Sequence, residues 1–235
     1  MAVDARGYSR GSDQDQRELQ RVLVASCDHA ARAAGLDRAT WAKQPAGDGE
    51  FAVLPVDERE DLVVDRYVRE LSAELSRYNG RVAPDARLRL RLAVHFGRLA
   101  EAANGYAGPA PIVVGRMLDS AVLRQALIDS DADLAVLFSD QVYQDFIATL
   151  STTVRPAHLR RVVVREKGFE ADAWLWVPGH EAGDPMPESA TASSPAAAPA
   201  GDPVVGTARS QVVNEFHGPV DARRANFGFE LGVGR

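Results

Sequence analysis

From Arg87 to Phe96 the chain reads Arg87-Leu88-Arg89-Leu90-Arg91-Leu92-Ala93-Val94-His95-Phe96, with arginine and apolar residues alternating at period two. Successive side chains of a strand point to opposite faces, so this pattern specifies a half-buried strand over Leu88 to Phe96. Arg87, Arg89 and Arg91 are expected on its solvated face, with contact to phosphates as the alternative. A strand of this kind needs neighbours on both sides and a layer of helices beneath its apolar face. The rest of the chain has to supply them.

It does so in a regular alternation. A short strand ends at Asp4, and residues 14–34 repeat apolar positions at helical spacing and stop at Gly35, with Asp13 or Ser12 as N-cap. A strand near Thr40 to Lys43 turns at Gly47-Asp48-Gly49 into a second, Phe51 to Leu54. A helix over Glu58 to Tyr78 carries Val64, Tyr67, Val68, Leu71, Leu75 and Tyr78 on one face and ends before Asn79-Gly80. A helix over Ile112 to Ile128, a strand over Leu134 to Phe138 and a helix over Gln141 to Leu150 follow. Closing strands Leu159 to Val164 and Ala171 to Val177 complete an α/β sandwich. Three residues precede Asp4, which is short for a core strand and points to an assigned start that lies too late.

Composition narrows the class. The 235 residues can bury one core and leave an appendage. The formal net charge is −6 and no basic stripe is present, so nucleic acid and anionic membrane are poor partners. One cysteine cannot pair within the chain. Cys27 lies on the apolar side of the first helix and reads as a small buried hydrophobe. No apolar run of about 18 residues and no signal-peptide profile occurs, so the chain is expected in the cytoplasm, spanning no membrane. His95 sits at a strand end, but His29, His158, His180 and His217 are isolated from it and from cysteine, so no zinc site is legible. Trp174 and Trp176 alternate in the last strand as core or sheet-face residues.

Chemistry concentrates in two aspartates with matched surroundings, Asp4 in Asp4-Ala5-Arg6-Gly7-Tyr8-Ser9 and Asp48 in the Gly47-Asp48-Gly49 turn. Brought to one edge of a sheet, both carboxylates can share divalent cations with a triphosphate. The same residues equally suit a capped turn and an ordinary hairpin loop.

In chain order, five segments resemble the class III nucleotidyl cyclase catalytic domain, the adenylate and guanylate cyclase family, over Met1 to Val177. Asp4-Ala5-Arg6-Gly7-Tyr8-Ser9 is similar to the family's Asp-Ile-x-Gly-Phe-Ser, and Gly47-Asp48-Gly49 to its Gly-Asp-Gly hairpin. Arg89 to Gly97 resembles the strand ending in His-x-Gly, and Gly108 to Leu118 the helix start Gly-x-x-Val-Asn-x-Ala-Ala-Arg-Leu. Ala135-Val136-Leu137-Phe138-Ser139 resembles a late strand ending in Ser. The resemblance implies a ferredoxin-like nucleotidyl cyclase fold, a central mixed sheet flanked by helices. It also implies Mg²⁺ or Mn²⁺ on Asp4 and Asp48, a nucleoside triphosphate bound near Lys43, Gly47 and Gly49, and Arg116 as the catalytic cation. A head-to-tail homodimer would bring Arg116 to the partner's aspartates.

Departures from the family pattern accompany these matches. Ile112 stands at the position of the family's transition-state Asn. Gln44 stands at its substrate-contacting Lys, with Lys43 one place out of register and so on the opposite face of a strand. Gly105 stands at its base-reading acid, so neither adenine nor guanine is indicated. The metal half of the site is retained while the catalytic half is weakened.

After Pro178 the composition changes. Residues 179–208 are dominated by Ala, Pro, Gly, Ser and acidic residues, a mixture that cannot bury enough apolar surface to offset ordering entropy, and read as a disordered linker. In residues 209–235, Asn214, Phe216, Gly218, Val220 and Ala222 recur at period two. This tail resembles bacterial amyloid signalling motifs related to the RIP homotypic interaction motif, through Asn214, Phe216, Gly218 and Val220, with Phe227 and Gly228 as a second element. The resemblance implies in-register cross-β stacking with a partner protein carrying a like tail. Pro219, Arg223 and Arg224 depart from a generic zipper, and an edge strand folded back on the domain is the alternative.

Three functional readings follow from the sequence. The chain is a cyclase-fold signalling module, divergent in catalysis and coupled through its tail; or a working cyclase releasing a cyclic mononucleotide and pyrophosphate; or a dimerisation domain whose aspartates bind nothing.

Overall fold

The computed structural model of the protein describes residues 1–8, 11–149 and 152–180. The linker and the tail residues Asn214, Phe216, Gly218, Val220, Phe227 and Gly228 lie outside the described residues.

Among the described residues, seven strands form one mixed sheet in the order β2-β3-β1-β4-β7-β9-β8. They are β1 (Ala2–Ala5), β2 (Ala42–Pro45), β3 (Gly49–Val53), β4 (Leu90–Val94), β7 (Leu134–Ser139), β8 (Arg160–Glu166) and β9 (Phe169–Trp176). Strand β1 is antiparallel to β3 and β4, and β4 runs parallel to β7. A separate hairpin pairs β5 (Ala100–Ala102) with β6 (Gly105–Ala107). The sequence does not reveal that hairpin, because three-residue strands carry no usable alternation.

Period-two alternation sorts the strands' side chains between two cores. Val3, Ala5, Leu90, Leu92, Val94, Val136 and Phe138 face α1 (Asp13–Ala34) and α3 (Val68–Asn79) in one apolar cluster. Ala2, Ala93, Ala135, Leu137 and Leu175 face α4 (Pro109–Leu118) and α5 (Ala121–Asp129) in the other. Helices therefore cover both faces of the sheet, the mixed α/β architecture expected from the sequence.

Helix α1 begins at Ser12, whose hydroxyl accepts from the Asp15 amide while the Asp15 carboxylate accepts from the Ser12 amide. This capping box settles the choice between Ser12 and Asp13. The helix ends at Gly35 in the left-handed region, φ 83°.

The three other expected helices are each broken. The first consists of α2 (Glu60–Leu62), a π-helical turn over Val63–Tyr67, and α3. The wider turn keeps Val63, Val64, Tyr67 and Val68 all fully buried. The second splits into α4 and α5, where buried Ser120 donates its hydroxyl proton to Met117 O and accepts from the Leu123 amide. The third is α6 (Asp140–Val142) followed by a π turn over Tyr143–Ile147.

The arginines in and just before β4 correct the solvated-face expectation. Arg87, Arg89 and Arg91 are half-buried. Arg87 donates to Asp133 Oδ1 at 2.7 Å, Arg89 Nε to Ala132 O at 2.7 Å, and Arg91 to Asp4. Helices roof this face too, so its cations are held by carboxylates and carbonyls rather than by water.

Candidate functional site

Asp4 and Asp48 are brought together by strand register. Asp4 pairs with Gly49 across β1 and β3, and the Ala5 amide donates to Asp48 O at 2.7 Å. The two residues thus stand at one end of neighbouring strands. Strand β1 is interior to the sheet, so the edge at which the two residues stand is the one formed by strand ends. Gly49 makes the approach possible, since a β-carbon on it would stand 2.2 Å from Val3 O and 2.9 Å from Asp4 Cβ. Gly47 holds the turn at φ 67°.

Asp4 also pairs with Arg91 across β1 and β4. Arg91 Nε donates to Asp4 Oδ1 at 2.8 Å, and a second guanidinium nitrogen donates to Oδ2. Both residues are mostly buried, with side chains 15% and 14% exposed. Burial pushes the Asp4 carboxyl above its ordinary range, and the Asp48 and Asp119 charges add to this, against the opposing pull of Arg91. The remaining nitrogen of Arg91, Nη1, is buried without a hydrogen-bond partner among the described residues.

Two cavities open beside these aspartates. One, of about 370 Å³, is lined by Asp4, Gln44, Asp48, Glu50, Phe51 and Gly115, among others. The other, of about 270 Å³, is lined by Arg6, Gly7, Tyr8, Asp48, Arg91 and Arg124. The sequence does not single out Arg6 or Arg124, and for Arg91 it favours a solvated face with phosphate contact as the alternative. The one available signal was the position of Arg6 inside the same six-residue segment as Asp4.

The remaining candidates fall as follows. Lys43 lines neither cavity; its Nζ donates to Arg38 O at 2.8 Å, and it is Gln44, one residue on, that faces the aspartates. Arg116 is half-buried on α4 and lines neither cavity of its own chain. Among the described residues it has no ion-pair or hydrogen-bond partner. Ile112, on the same helix, is 58% exposed. His95 Nδ1 lies 3.0 Å from Ser139 Oγ, and burial, then the chain's amino terminus, pulls its pKa below the ordinary histidine value. Cys27 is buried and its thiol is pushed up to about 11 by burial, as suits a packing residue.

Next to the aspartates lies a buried ion pair that sequence reading missed. Arg38 donates to both oxygens of Glu50, at 2.7 and 2.8 Å, and to Asp28. Glu50 follows Gly49 on β3, so this pair fixes the strand that carries the Asp48 turn. Removing one partner of such a pair costs about 3–5 kcal/mol, because the other is left buried and uncompensated.

The donor set of Asp4 and Asp48 has a definite chemistry. Among the described residues no group of three or more His, Cys, Asp or Glu is placed to hold a metal ion. Two carboxylates do fit Mg²⁺ or Mn²⁺ that arrives carrying phosphates, since such ions are held by one or two carboxylates plus substrate oxygens. Among the described residues no helix is long and apolar enough to cross a membrane.

No protein-family model and no curated protein matches this chain. Solved structures do. A crystal structure of an adenylate/guanylate cyclase/hydrolase from Silicibacter pomeroyi matches with a TM-score of 0.54 at 18% identity, covering 75% of this chain and 95% of its own. The guanylyl cyclase Cya2 covers 80% of this chain and 92% of its own at 13% identity, TM-score 0.49. The guanylate cyclase domain of RhGC from Catenaria anguillulae, in complex with GTP, covers 75% and 93% at 15% identity, TM-score 0.42. The class defined is therefore one of fold: a seven-stranded mixed sheet flanked by helices, in the arrangement of a nucleotidyl cyclase domain. At 18% identity the likeness to the Silicibacter pomeroyi structure is one of architecture.

Proposed function

We propose that this chain is a divergent class III nucleotidyl cyclase-like signalling module that binds a metal–nucleoside triphosphate at Asp4 and Asp48. Its C-terminal tail couples it to a signalling or defence partner with a matching motif. The observation that carries the site is the meeting of two carboxylates at one strand end with a cavity bearing Arg6, Arg91 and Arg124. Carboxylates suit a divalent cation and guanidinium groups suit phosphate oxygens, so the two halves recognise the two parts of a metal–triphosphate.

When bound, Mg²⁺ or Mn²⁺ would supply charge neutralisation at the phosphates and lower the pKa of the attacking ribose hydroxyl. The chain's own contribution is positioning. Asp4 and Asp48 would hold the cation, and Arg6, Arg91 and Arg124 would orient the phosphates. Arg116, without a partner among the described residues, would reach the corresponding site of a second copy in a head-to-tail dimer and there neutralise charge on the transferring phosphorus. Ile112 offers no hydrogen bond beside it, which is why turnover is expected to be slow or absent.

The test is calorimetry of the four common ribonucleoside triphosphates with and without Mn²⁺. Binding should require the metal and be lost in Asp48→Ala; equal affinity in wild type and variant would remove the metal site. Sedimentation with nucleotide should show a dimer, and a monomer at high concentration would exclude a composite site. The second reading, a working cyclase, is favoured by Arg116, unpaired among the described residues, and formation of cyclic mononucleotide and pyrophosphate would establish it.

A further inference from the structure

We infer that Arg91 makes cation binding at Asp4 and Asp48 conditional on a phosphate-bearing ligand, so that the site selects a metal–polyphosphate complex and rejects the bare divalent ion. This rests on the reading of Asp4 and Asp48 as metal ligands given above. Both oxygens of Asp4 already accept hydrogen bonds from Arg91, and the pair sits in a mostly buried setting where charges are weakly screened. A guanidinium stays charged at every accessible pH, so the pairing cannot be relieved by losing a proton. A divalent ion entering alone would have to displace Arg91 from Asp4 and then stand beside its positive charge. Asp48 and Asp119, the other carboxylates whose charges act on Asp4, would be left to offset it.

Phosphate changes that balance through the same arginine. Arg91 Nη1 is buried and unpartnered among the described residues, and the residue lines the cavity that also presents Arg6 and Arg124. A phosphate there offers acceptors to a planar fork whose geometry matches it, giving Arg91 a partner other than Asp4. Asp4 is thereby released to the cation that the phosphate carries. Because coupling between two ligands is reciprocal, metal must favour phosphate by the same factor as phosphate favours metal.

The experiment titrates Mn²⁺ into the full chain by electron paramagnetic resonance, alone and with non-hydrolysable α,β-methylene analogues of ATP and GTP. The Mn²⁺–nucleotide complex formed in solution is measured separately. Wild type should bind Mn²⁺ at least about tenfold more tightly with an analogue present, within the usual range of coupling. Arg91→Gln should bind Mn²⁺ alone about tenfold better than wild type and lose most of the enhancement by nucleotide. Arg91→Lys, which keeps the charge without the fork, should fall between them. Wild type binding Mn²⁺ alone as tightly as with the analogue would overturn this inference while leaving the metal site standing, and needs no variant to fold. An Arg91→Gln protein of native circular dichroism with unchanged Mn²⁺ affinity would overturn it too. No Mn²⁺ binding in any protein under any condition would remove the metal reading itself.

Discussion

The side-chain amide of Gln44 lies against Gly105, so closely that a β-carbon at Gly105 would stand 1.9 Å from Gln44 Nε2. These are the two positions at which the cyclase resemblance expects a substrate-contacting Lys and a base-reading acid. They come from β2 and β6, 61 positions apart in the sequence, and the fold sets them side by side. Gln44 occupies the room that a side chain at 105 would need.

Restoring the acid alone should therefore fail. Gly105 has φ 96°, a conformation costly to a residue with a β-carbon, and Gly105→Asp adds the clash with Gln44. A loss of about 1–3 kcal/mol in urea unfolding is expected, from strain and overpacking together. Gln44→Ala combined with Gly105→Asp should recover the steric share and leave the conformational share. A single substitution that unfolds at the wild-type urea midpoint would show that the loop yields without cost.

Ile112→Asn should raise cyclase turnover in a Mn²⁺ assay with each of the four triphosphates. Ile112 is 58% exposed, so the change should alter stability by no more than about 0.5 kcal/mol. Losing one polar transition-state contact commonly costs about two to three orders of magnitude, which bounds the gain. A brisk wild-type rate would instead show that Ile112 is no defect.

His95 gives a pH dependence whose sign is fixed. Burial holds its folded pKa below the ordinary histidine value of about 6.5. As pH falls through about 6.5 the unfolded chain takes up a proton that the folded chain refuses, so stability declines until pH passes the folded pKa and then levels off. Urea unfolding of wild type and His95→Asn between pH 7.5 and pH 5 should differ in slope, the variant being flatter. Parallel curves would mean that His95 titrates alike in both states.

Residues 211–228 fused to an unrelated soluble protein should form fibres or join fibres of a similar tail. Phe216→Asp should abolish this, because in-register stacking would repeat a like charge about every 4.7–4.8 Å. The same change in the full chain should leave its melting temperature untouched. A lowered melting temperature, with the tail protected from protease, would make the segment part of the fold.

Much of the architecture is legible in the sequence, because alternation in β4 and the capped amphipathic pattern of α1 are local signals. The breaks are not. The apolar pattern of residues 112–128 resumes after Asp119 and Ser120, and it is the cap that Ser120 makes with Met117 O and the Leu123 amide that ends one helix and starts the next. The π turn at Val63–Tyr67 is likewise invisible to a search at a period of 3.6. Arg91 was misplaced for a plainer reason. Alternation says that two faces differ but not that both are roofed, and under a helical roof an arginine finds Asp4 where the pattern alone expects water. Placing Asp4 beside Asp48 needed strand order as well as motif, and strand order came from the register of β1 with β3.

The two outer strands of the sheet are β2 and β8. Strand β2 is four residues long and ends in Pro45, which has no amide to donate, and it carries Lys43. Strand β8 bears Arg160, Arg161 and Arg165 beside Val162, Val163 and Val164. Short length, proline and charge are features that make a strand a poor template for another backbone. Were the proposed stacking of tails to occur, outer strands of this kind would give a growing fibre little to copy.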